Sequence, residues 1–274
     1  MLNKITEEQL KAYHNVALQL VVKCGPIFRE GYNRTGQNVV VKDDFVTAYG
    51  RQIAEILAQG LKDAFPESII IEQGRVEITD APTWFIDPID GKTNYIHGLA
   101  LCAISVGLSI GKQLVSGIVF NPVTNELFSA WKGHGAYLNG QPIHVTKTSK
   151  ISDAIVGHEI TLINAEAFRD KNVKRGYKLA AVASCTRCFG SAAISLTYLA
   201  KGSLDVYQID DLEPWNVAAG VLILQEAGGV IYNSNGGDFD IIKPNFVCAA
   251  TKELAQEVLQ LIQEADQITD YTFK

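Results

Sequence analysis

The sequence predicts an α/β fold in which helical layers and sheet layers pack into one sandwich. Three observations support this prediction. Helical periodicity of apolar residues marks both ends of the chain, β-rich runs separated by Gly, Asn-Pro and Lys-Gly turns fill the middle, and no Pro/Ser-rich linker or internal repeat divides the 274 residues. Because each layer must bury its apolar face against another, layers that share one site are the simplest architecture.

Two amphipathic helices are predicted in the N-terminal part of the chain. The second begins its apolar stripe at Ile53 and ends before Pro66, because proline cannot continue a helix, and residues 68–71 follow as a short buried strand. The first begins at a capping residue, Thr6. Its apolar positions, spaced three and four residues apart, are Leu10, Tyr13, Val16, Ala17, Leu20, Val21 and Cys24.

Strands and helices alternate through the rest of the chain. Four β-rich runs predict a meander-like sheet at 83–86, 103–110, 114–120 and 126–131. Later segments predict helices at 191–200, 217–227 and 253–265 and strands at 204–207, 229–232 and 246–249. We expect residues 1–274 to form one unit, with an approximate N-terminal α+β lobe at 1–150 and a C-terminal α/β lobe at 151–274.

Composition narrows the class of function. A net charge of −6 without a Lys/Arg-rich block argues against nucleic-acid binding and favours a small ligand. Five cysteines, an odd number in apolar stretches, fit buried free thiols in a reducing compartment; Cys185 and Cys188 alone have metal or redox spacing, without partners for a zinc site. The N-terminus lacks a signal-peptide pattern and no stretch reaches transmembrane length, so we expect a cytoplasmic protein with no membrane partner.

One short segment carries the residues from which chemistry can be argued. Asp87 and Asp90 stand three residues apart at the end of an apolar strand, just before a predicted helix start at Lys92. At such a turn, both carboxylates and the backbone carbonyl between them can converge on one hard cation, and the free N–H groups of the helix suit a phosphate oxygen. Glu72, after the preceding short strand, would be the third carboxylate. Alternatively, the segment is only a turn with a helix cap.

The same segment takes part in a family resemblance. Residues 83–95, TWFIDPIDGKTNY, resemble the first signature of the inositol monophosphatase family of magnesium-dependent sugar phosphatases, and residues 213–229, EPWNVAAGVLILQEAGG, resemble its second. Residues 133–142 and 190–193 also look like family segments, in the expected order. The resemblance covers nearly the whole chain. It implies a layered α-β-α-β-α sandwich of the inositol monophosphatase and fructose bisphosphatase type, usually a homodimer.

The resemblance also implies roles for individual positions. A first magnesium site would comprise Glu72, Asp87 and the carbonyl of Ile89. A second would comprise Asp87, Asp90 and Asn216. The substrate phosphate would contact the amides of Gly91, Lys92 and Thr93. The polyol ring would contact Gly190, Ser191 and Ala192.

Four positions of this site depart from the family pattern. The family's DxVTxxD segment is DFVTAYG at residues 44–50. Gly50 therefore stands where the family has a carboxylate that helps orient the attacking water. Gln73 replaces the second glutamate of a Glu-Glu pair, and Lys92 replaces the threonine that follows Asp-Gly. Asn216 replaces an aspartate of the second signature. Together these changes move the formal charge near the metals by about four units toward positive. We therefore expect weakened magnesium binding, particularly at the second site.

Lys92 has two interpretations. In the first, its ammonium takes the space of a lost magnesium among Glu72, Asp87 and Asp90, because opposite charges a few ångströms apart attract strongly inside a protein. In the second, it is a solvated lysine at a helix start.

Three functions follow as hypotheses. The first is a phosphomonoesterase acting on a small polyol or sugar phosphate, with inositol monophosphate as the leading candidate and Mg²⁺ as a weakly bound or lost cofactor. The second is a non-catalytic partner subunit on the same fold. The third is a recruited, metal-independent enzyme in which Lys92 acts as acid, base or electrostatic clamp. The candidate catalytic residues are Glu72, Asp87, Asp90 and Lys92.

Overall fold

The computed structural model describes residues 5–35, 43–74, 76, 79–160 and 166–269. Two long helices form its first layer, α1 at Glu7–Thr35 and α2 at Asp43–Ala64. Thr6 caps α1 as predicted: its hydroxyl accepts the Gln9 N–H at 3.2 Å, and the Gln9 side chain accepts the Thr6 N–H at 2.9 Å. The first helix extends eleven residues beyond the end of the predicted apolar stripe at Cys24.

The second layer is a seven-stranded sheet in which the strands follow one another in sequence order. The first two strands are parallel and the rest are antiparallel. Its strands are β1 Ile69–Ile71, β2 Pro82–Asp90, β3 Ala103–Ile110, β4 Gln113–Asn121, β5 Glu126–Trp131, β6 Ala136–Leu138 and β7 Gln141–Ile143. The predicted meander corresponds to β2 through β5 and is confirmed.

Alternation along β2 decides which layer each side chain reaches. Trp84 and Ile86 belong to the core shared with α1 and α2, whereas Phe85 belongs to the core on the other face of the sheet. Because side chains of a strand alternate between its faces, Asp87 follows Phe85 onto the second face. The strand therefore delivers a carboxylate into the middle of the sandwich.

Helices α5 at Ala192–Ala200 and α6 at Pro214–Glu226 form the central layer. Their apolar side chains share one core with Phe85 of the first sheet and with Tyr207 and Phe246 of the second. A helix that contacts sheets on both sides must be apolar nearly all round, and nearly all of the residues of α5 are buried.

Two glycines of the first sheet let α6 approach closely. A Cβ on Gly117 would lie 2.4 Å from the carbonyl oxygen of Ala219, and one on Gly107 would lie 2.7 Å from the Cβ of Ala218. Both approaches are shorter than contacts between real side-chain and backbone atoms, so these positions require glycine. The close contact fixes α6, and with it the first turn of that helix, against the sheet.

The remaining layers are a five-stranded sheet and two outer helices. Leu179 of α4, which spans Glu166–Val182, and Leu254 of α7, which spans Lys252–Asp266, share a core with Val206 of this sheet. Its strand order is β11-β12-β10-β8-β9. The strand bounds are β8 Ile155–His158, β9 Cys185–Arg187, β10 Val206–Ile209, β11 Val230–Asn233 and β12 Phe246–Ala249. The order of layers is α-β-α-β-α, which confirms the predicted fold class.

The cysteines agree only in part with the sequence expectation. None of the five, all of which lie within the described residues, forms a disulfide, and Cys24, Cys102 and Cys248 are buried as expected. Cys185 is partly exposed and Cys188 is exposed, because both lie on or beside β9 at the edge of the second sheet.

Candidate active site

A cavity of about 390 Å³ lies between the end of β2, the helix α3 at Lys92–Ile96, and the first turn of α6. It brings together eleven of the positions singled out in the sequence: Gly50, Glu72, Gln73, Asp87, Ile89, Asp90, Gly91, Lys92, Thr93, Gly190 and Asn216. The other two predicted site residues, Ser191 and Ala192, line a smaller cavity that adjoins it.

An irregularity at the end of β2 positions the two aspartates. The pairing of β2 with β3 shifts register between Asp87 and Asp90. Gly91 then has φ 79°, a conformation that favours glycine, and a Cβ there would lie 2.7 Å from the carbonyl oxygen of Leu101. The predicted strand-to-helix turn is thus a bulged strand end followed within two residues by α3, with both carboxylates buried.

Asp87 is held by hydrogen bonds on both of its oxygens. Oδ1 accepts the backbone N–H of Ile89 at 3.2 Å, and Oδ2 accepts the side-chain amide of Asn216 at 2.8 Å. Burial raises the pKa of Asp87, and the Asn216 hydrogen bond and the charge of Lys92 act in the opposite direction without cancelling it. Its negative charge is therefore costly unless a cation lies nearby.

Asp90 connects the end of β2 to the start of α5. Its Oδ2 accepts the hydroxyl of Ser191 and, at 2.9 Å, the backbone N–H of Ala193. Burial, followed by the charge of Asp87, raises the pKa of Asp90 to about 7. The charge of Asp87 thus disfavours the charged form of Asp90, as neighbouring carboxylates do.

Glu72 lines the same cavity but has a different acidic neighbour. It follows β1 and is partly buried; burial, followed by the charge of Glu55, raises its pKa. In the described ranges, no three Asp, Glu, His or Cys side chains converge closely enough to hold a metal ion. The cavity therefore gathers Glu72, Asp87 and Asp90 without forming one three-carboxylate cluster. Both oxygens of Asp87 and Oδ2 of Asp90 face protein donors instead.

The two magnesium positions implied by the resemblance fit these residues unequally. Magnesium keeps several water ligands and needs only one or two carboxylates, which Glu72 and Asp87 at the shared cavity can provide. At the second position, the amide nitrogen of Asn216 donates to Asp87, and its carbonyl oxygen accepts the N–H of Glu213 at 3.2 Å. The expectation that this carbonyl serves as a ligand does not fit, because an N–H donor faces Asp87 where the position needs an acceptor.

Lys92 is exposed at the start of α3. The ion pairs found among the described residues do not include it. This geometry corresponds to the solvated interpretation rather than to an ammonium seated among Glu72, Asp87 and Asp90. Its charge still reaches the site, because it lowers the pKa of Asp87.

Gly50 leaves space where the family pattern has a carboxylate. A Cβ at this position of α2 would meet Ile89 Cδ1 at 3.6 Å, an ordinary contact. Gln73 is exposed at the edge of the cavity. The side chains of residues 44–47, the first part of the same segment, lie outside those that the structure describes.

Two buried residues that support the site were not predicted. Asn94 donates its amide to the carbonyls of Leu101 at 2.8 Å and Phe189 at 2.6 Å, which fixes α3 beside the segment that precedes α5. Glu159 accepts the N–H groups of Phe189 at 3.1 Å and Gly190 at 3.0 Å. In the sequence, Glu159 could have been found only as an acidic residue directly after a short apolar run, which forms β8.

Comparisons with known proteins agree with this architecture. Residues 9–267 match the sequence profile of the inositol monophosphatase family. The chain belongs to the inositol monophosphatase family. It is 33% identical to inositol monophosphatase 1 of Solanum lycopersicum, over 95% of this chain and 98% of the relative, and 31% identical to inositol monophosphatase 1 of Bos taurus, over 90% and 92%.

Solved structures of the family have the same fold. The inositol monophosphatase of Anabaena (Nostoc) superposes with a TM-score of 0.82 at 25% identity, covering 93% of this chain and 96% of that one. The IMPase of Thermotoga maritima gives 0.79 at 26% identity, covering 92% and 97%. The members of this family are phosphatases and generally depend on Mg²⁺.

Among the residues that the structure describes, none of the helices has both the length and the apolar composition of a membrane span.

Proposed function

We propose that this protein is a phosphoric monoester hydrolase of a small polyol or sugar phosphate, with magnesium-dependent activity weakened by Gly50, Gln73, Lys92 and Asn216. The observation that carries the proposal is the pair Asp87 and Asp90 at the bulged end of β2, lining a cavity of about 390 Å³ in a chain of this family. Relatives named inositol monophosphatases make an inositol monophosphate the first substrate to test.

The substrate phosphate would bind at the start of α3. Gly91, Lys92 and Thr93 line the cavity there, and the first N–H groups of a helix have no partner within it. Arg51 lines the same cavity, so two cationic residues, Lys92 and Arg51, border the space in which a phosphate dianion would bind. These cations are matched to an anionic substrate more than to a neutral one.

Glu72 and Asp87 would hold one Mg²⁺, with the carbonyl of Ile89 beside them. A bound magnesium ion supplies Lewis-acid activation of a water and of the phosphoryl oxygens. Gly50 has no side chain to orient a nucleophilic water, and Asn216 adds no negative charge to Asp87 and Asp90. Both differences favour slow turnover over a complete loss of the site.

A metal-independent enzyme or a non-catalytic partner subunit is the second candidate. The hydrogen bond from Asn216 to Asp87 favours it, because that amide satisfies a carboxylate oxygen that a second cation would otherwise share. In the metal-independent case, Lys92 would provide a positive charge that acts to lower the pKa of Asp87.

Phosphate release from inositol 1-phosphate and glycerol 2-phosphate, measured with Mg²⁺ and with a chelator, tests the proposal. We expect slow release that requires Mg²⁺ and is lost in Asp87→Asn, with Asp240→Asn, a half-buried residue outside the lining of this cavity, as the control. Release that persists in the chelator would support the metal-independent enzyme. No release under either condition would support the non-catalytic protein.

A homodimer, by analogy with the family, and a cytoplasmic location, from the absence of a signal-peptide pattern, complete the proposal. Light scattering on the purified chain tests the first, and a monomer across micromolar concentrations would contradict it.

A further inference from the structure

A cavity lined entirely by polar residues lies apart from the candidate active site. Its volume is about 390 Å³, equal to that of the first cavity, and it lies between α4, the end of α7 and the ends of β10 and β11. Ten residues line it: two cations, two carboxylates, five side-chain amides and a serine. Among the described residues, the two cavities have no lining residue in common. Cavities for apolar ligands are lined mostly by apolar side chains, so this lining favours a polar ligand.

A chain of ion pairs forms part of the wall of this polar cavity. Lys171 pairs with Asp210, whose carboxylate also pairs with Arg175 at 2.8 Å. Arg175 in turn holds Asp266 through Nε at 2.8 Å and Nη2 at 2.5 Å. The side chains of Asp210 and Arg175 are each only 4% exposed, so the middle of the chain is fixed inside the protein. Lys171 and Asp266, 37% and 35% exposed, are its accessible ends, and the four charges sum to zero.

The two carboxylates of this wall already accept several donors. Both oxygens of Asp266 accept from Arg175. Oδ1 of Asp210 accepts the Ser234 hydroxyl, and Oδ2 accepts both Lys171 and Arg175. A metal ion, or a ligand that binds by donating hydrogen bonds, would have to compete with these protein donors. The carboxylates therefore do not select the ligand.

Three asparagines that line the cavity use their oxygens within the protein. Oδ1 of Asn233 accepts the Asn235 N–H at 3.0 Å, and Oδ1 of Asn235 accepts the Gly237 N–H at 2.9 Å. Oδ1 of Asn245 accepts the Asp211 N–H at 2.7 Å. Because a backbone N–H can only donate, these bonds identify the oxygen end of each amide. In the described part of the chain, the three amide nitrogens have no protein acceptor.

The polar cavity therefore has more unused donors than unused acceptors. Each amide nitrogen carries two hydrogens, and an ammonium group carries three, of which Lys171 uses one for Asp210. Donors in excess of acceptors fit a ligand that consists mainly of acceptor oxygens. An oxyanion fits best, because hydrogen bonds to an ionised acceptor are about twice as strong as those between neutral groups.

We propose that this cavity is a second binding site, for a small oxyanion of the phosphate class, either free or as the phosphate group of a small metabolite. The amide groups of Asn233, Asn235 and Asn245 and the ammonium of Lys171 hold the anion. Because the ion pairs cancel one another, these donors and not a net charge provide the binding. The site is separate from the candidate active site, and the inference does not rest on the proposed hydrolase.

Thermal unfolding of the full chain tests the site. A series of inorganic phosphate concentrations, compared with chloride at the same ionic strength and with a chelator present, measures binding as stabilisation. Phosphate also stabilises proteins because it is excluded from their surface, and that part is common to the parent and its variants. Glycerol 2-phosphate is the second ligand. Specific stabilisation by both ligands assigns the site to the phosphate group, and stabilisation by inorganic phosphate alone assigns it to the free anion.

Two variants assign the stabilisation to residues of this cavity. Asn235→Asp keeps the oxygen that accepts the Gly237 N–H and replaces the amide donor by a negative charge. Lys171→Gln removes the accessible cation and leaves the buried ion pairs of Arg175 in place. We expect phosphate to bind at least about tenfold more weakly to both. Asn125→Asp is the matched control: it adds the same charge at an exposed turn outside the cavity and should be stabilised like the parent.

Lys92→Glu separates this site from the first cavity, because it places a negative charge where a substrate phosphate would bind there. Stabilisation like that of the parent in this variant supports the second site. Stabilisation that is lost only in Lys92→Glu assigns the anion to the first cavity and overturns the inference. Equal stabilisation of the parent, Asn235→Asp and Lys171→Gln also overturns it, because phosphate then acts only by exclusion. Either failure leaves the proposed hydrolase untouched.

Discussion

The side-chain amide of Asn216 donates a hydrogen bond to Asp87 Oδ2 at 2.8 Å and so joins the first turn of α6 to the end of β2. The two residues are 129 positions apart in sequence. An amide N–H provides a partial positive charge. It therefore stabilises the charged form of the buried Asp87 carboxylate, as a cation would. Because the same side chain also accepts the N–H of Glu213, its orientation is fixed at both ends.

Replacing Asn216 with aspartate should reverse this arrangement. Asn216→Asp places a third carboxylate against Asp87 and Asp90, so we expect Mg²⁺ to bind at least about tenfold more tightly, since affinity follows the number of charged ligands. Without Mg²⁺, we expect the free energy of unfolding to fall by about 2 kcal/mol, because the buried Asp87 loses a donor and gains a like charge beside it. Calorimetry and thermal unfolding with and without Mg²⁺ measure both effects.

Asn216→Ala is the matched control for that variant, because it removes the same hydrogen bond without adding charge. It should lose stability with no gain in Mg²⁺ affinity. If Asn216→Asp binds Mg²⁺ no more tightly than Asn216→Ala, a carboxylate at position 216 does not add a ligand for the cation.

Lys92→Thr should raise Mg²⁺ affinity a few-fold. Lys92 is exposed and lowers the pKa of Asp87 from a distance, so its charge opposes a cation beside that carboxylate only through a partly screened field. Lys92→Arg keeps the charge and should leave the affinity where it is. Calorimetric titration of the three proteins with Mg²⁺ at one ionic strength decides the matter, and equal affinities for all three would contradict the electrostatic role of Lys92.

Long periodic segments made most of the fold predictable. The stripes of α1 and α7 and the β-rich runs of β2 to β5 each carry enough residues to separate a period of 3.6 from a period of 2. The strands β6, β7 and β9 have three residues each, too few to show alternation. Helix α4 was not predicted because its polar and apolar residues are poorly separated around the helix.

The candidate site was predictable only where its residues are neighbours in sequence. Asp87 and Asp90 belong to one turn, and a carboxylate pair before a helix is a local pattern. The contacts of Asp90 with Ser191 and of Asp87 with Asn216 join residues more than 100 positions apart, and local patterns do not encode them. For the same reason, the sequence offered an oxygen of Asn216 as a ligand, whereas the fold of α6 presents its nitrogen to Asp87.

Gly50→Ala should stabilise the protein by up to about 1 kcal/mol, because alanine is the better helix former. The added Cβ would make only ordinary contacts, the nearest 3.6 Å from Ile89. Gly60→Ala, in the same helix, is the matched control: its Cβ would lie 2.6 Å from Leu20 Cδ2, so that variant should gain less or lose stability. Urea unfolding compares them, and a Gly50→Ala variant less stable than the parent would show that the space beside Gly50 is not available.

The space at Gly50 also allows the family carboxylate to be restored. Gly50→Asp adds a negative charge at a cavity that already holds Asp87 and Asp90, so we expect lower stability than Gly50→Ala without Mg²⁺ and a larger stabilisation when Mg²⁺ is added. Thermal unfolding over a Mg²⁺ series measures this. A stabilisation no larger than that of Gly50→Ala would show that residue 50 does not contribute to cation binding.

Acid should destabilise the protein through His14, far from the cavity. His14 is buried in α1, its Nδ1 lies 2.8 Å from Ser116 Oγ, and burial lowers its pKa to about 4. An unfolded histidine has a pKa of about 6.5, so the unfolded chain takes up a proton first as the pH falls. The stability is fully present above pH about 6.5 and is lost as the pH falls toward 4, by about 2 kcal/mol at pH 5 and at most about 3 kcal/mol in all.

His14→Asn isolates this effect, because its amide can still bond Ser116 but cannot titrate between pH 4 and 8. Carboxylates such as Asp90 titrate in both proteins and cancel in the difference. At pH 7.5, the variant should be the less stable of the two, because asparagine leaves part of the space of the imidazole unfilled. That difference should shrink by about 2 kcal/mol at pH 5. Urea unfolding at the two pH values gives the comparison, and a constant difference would mean that His14 takes up its proton equally easily in the folded and unfolded chains.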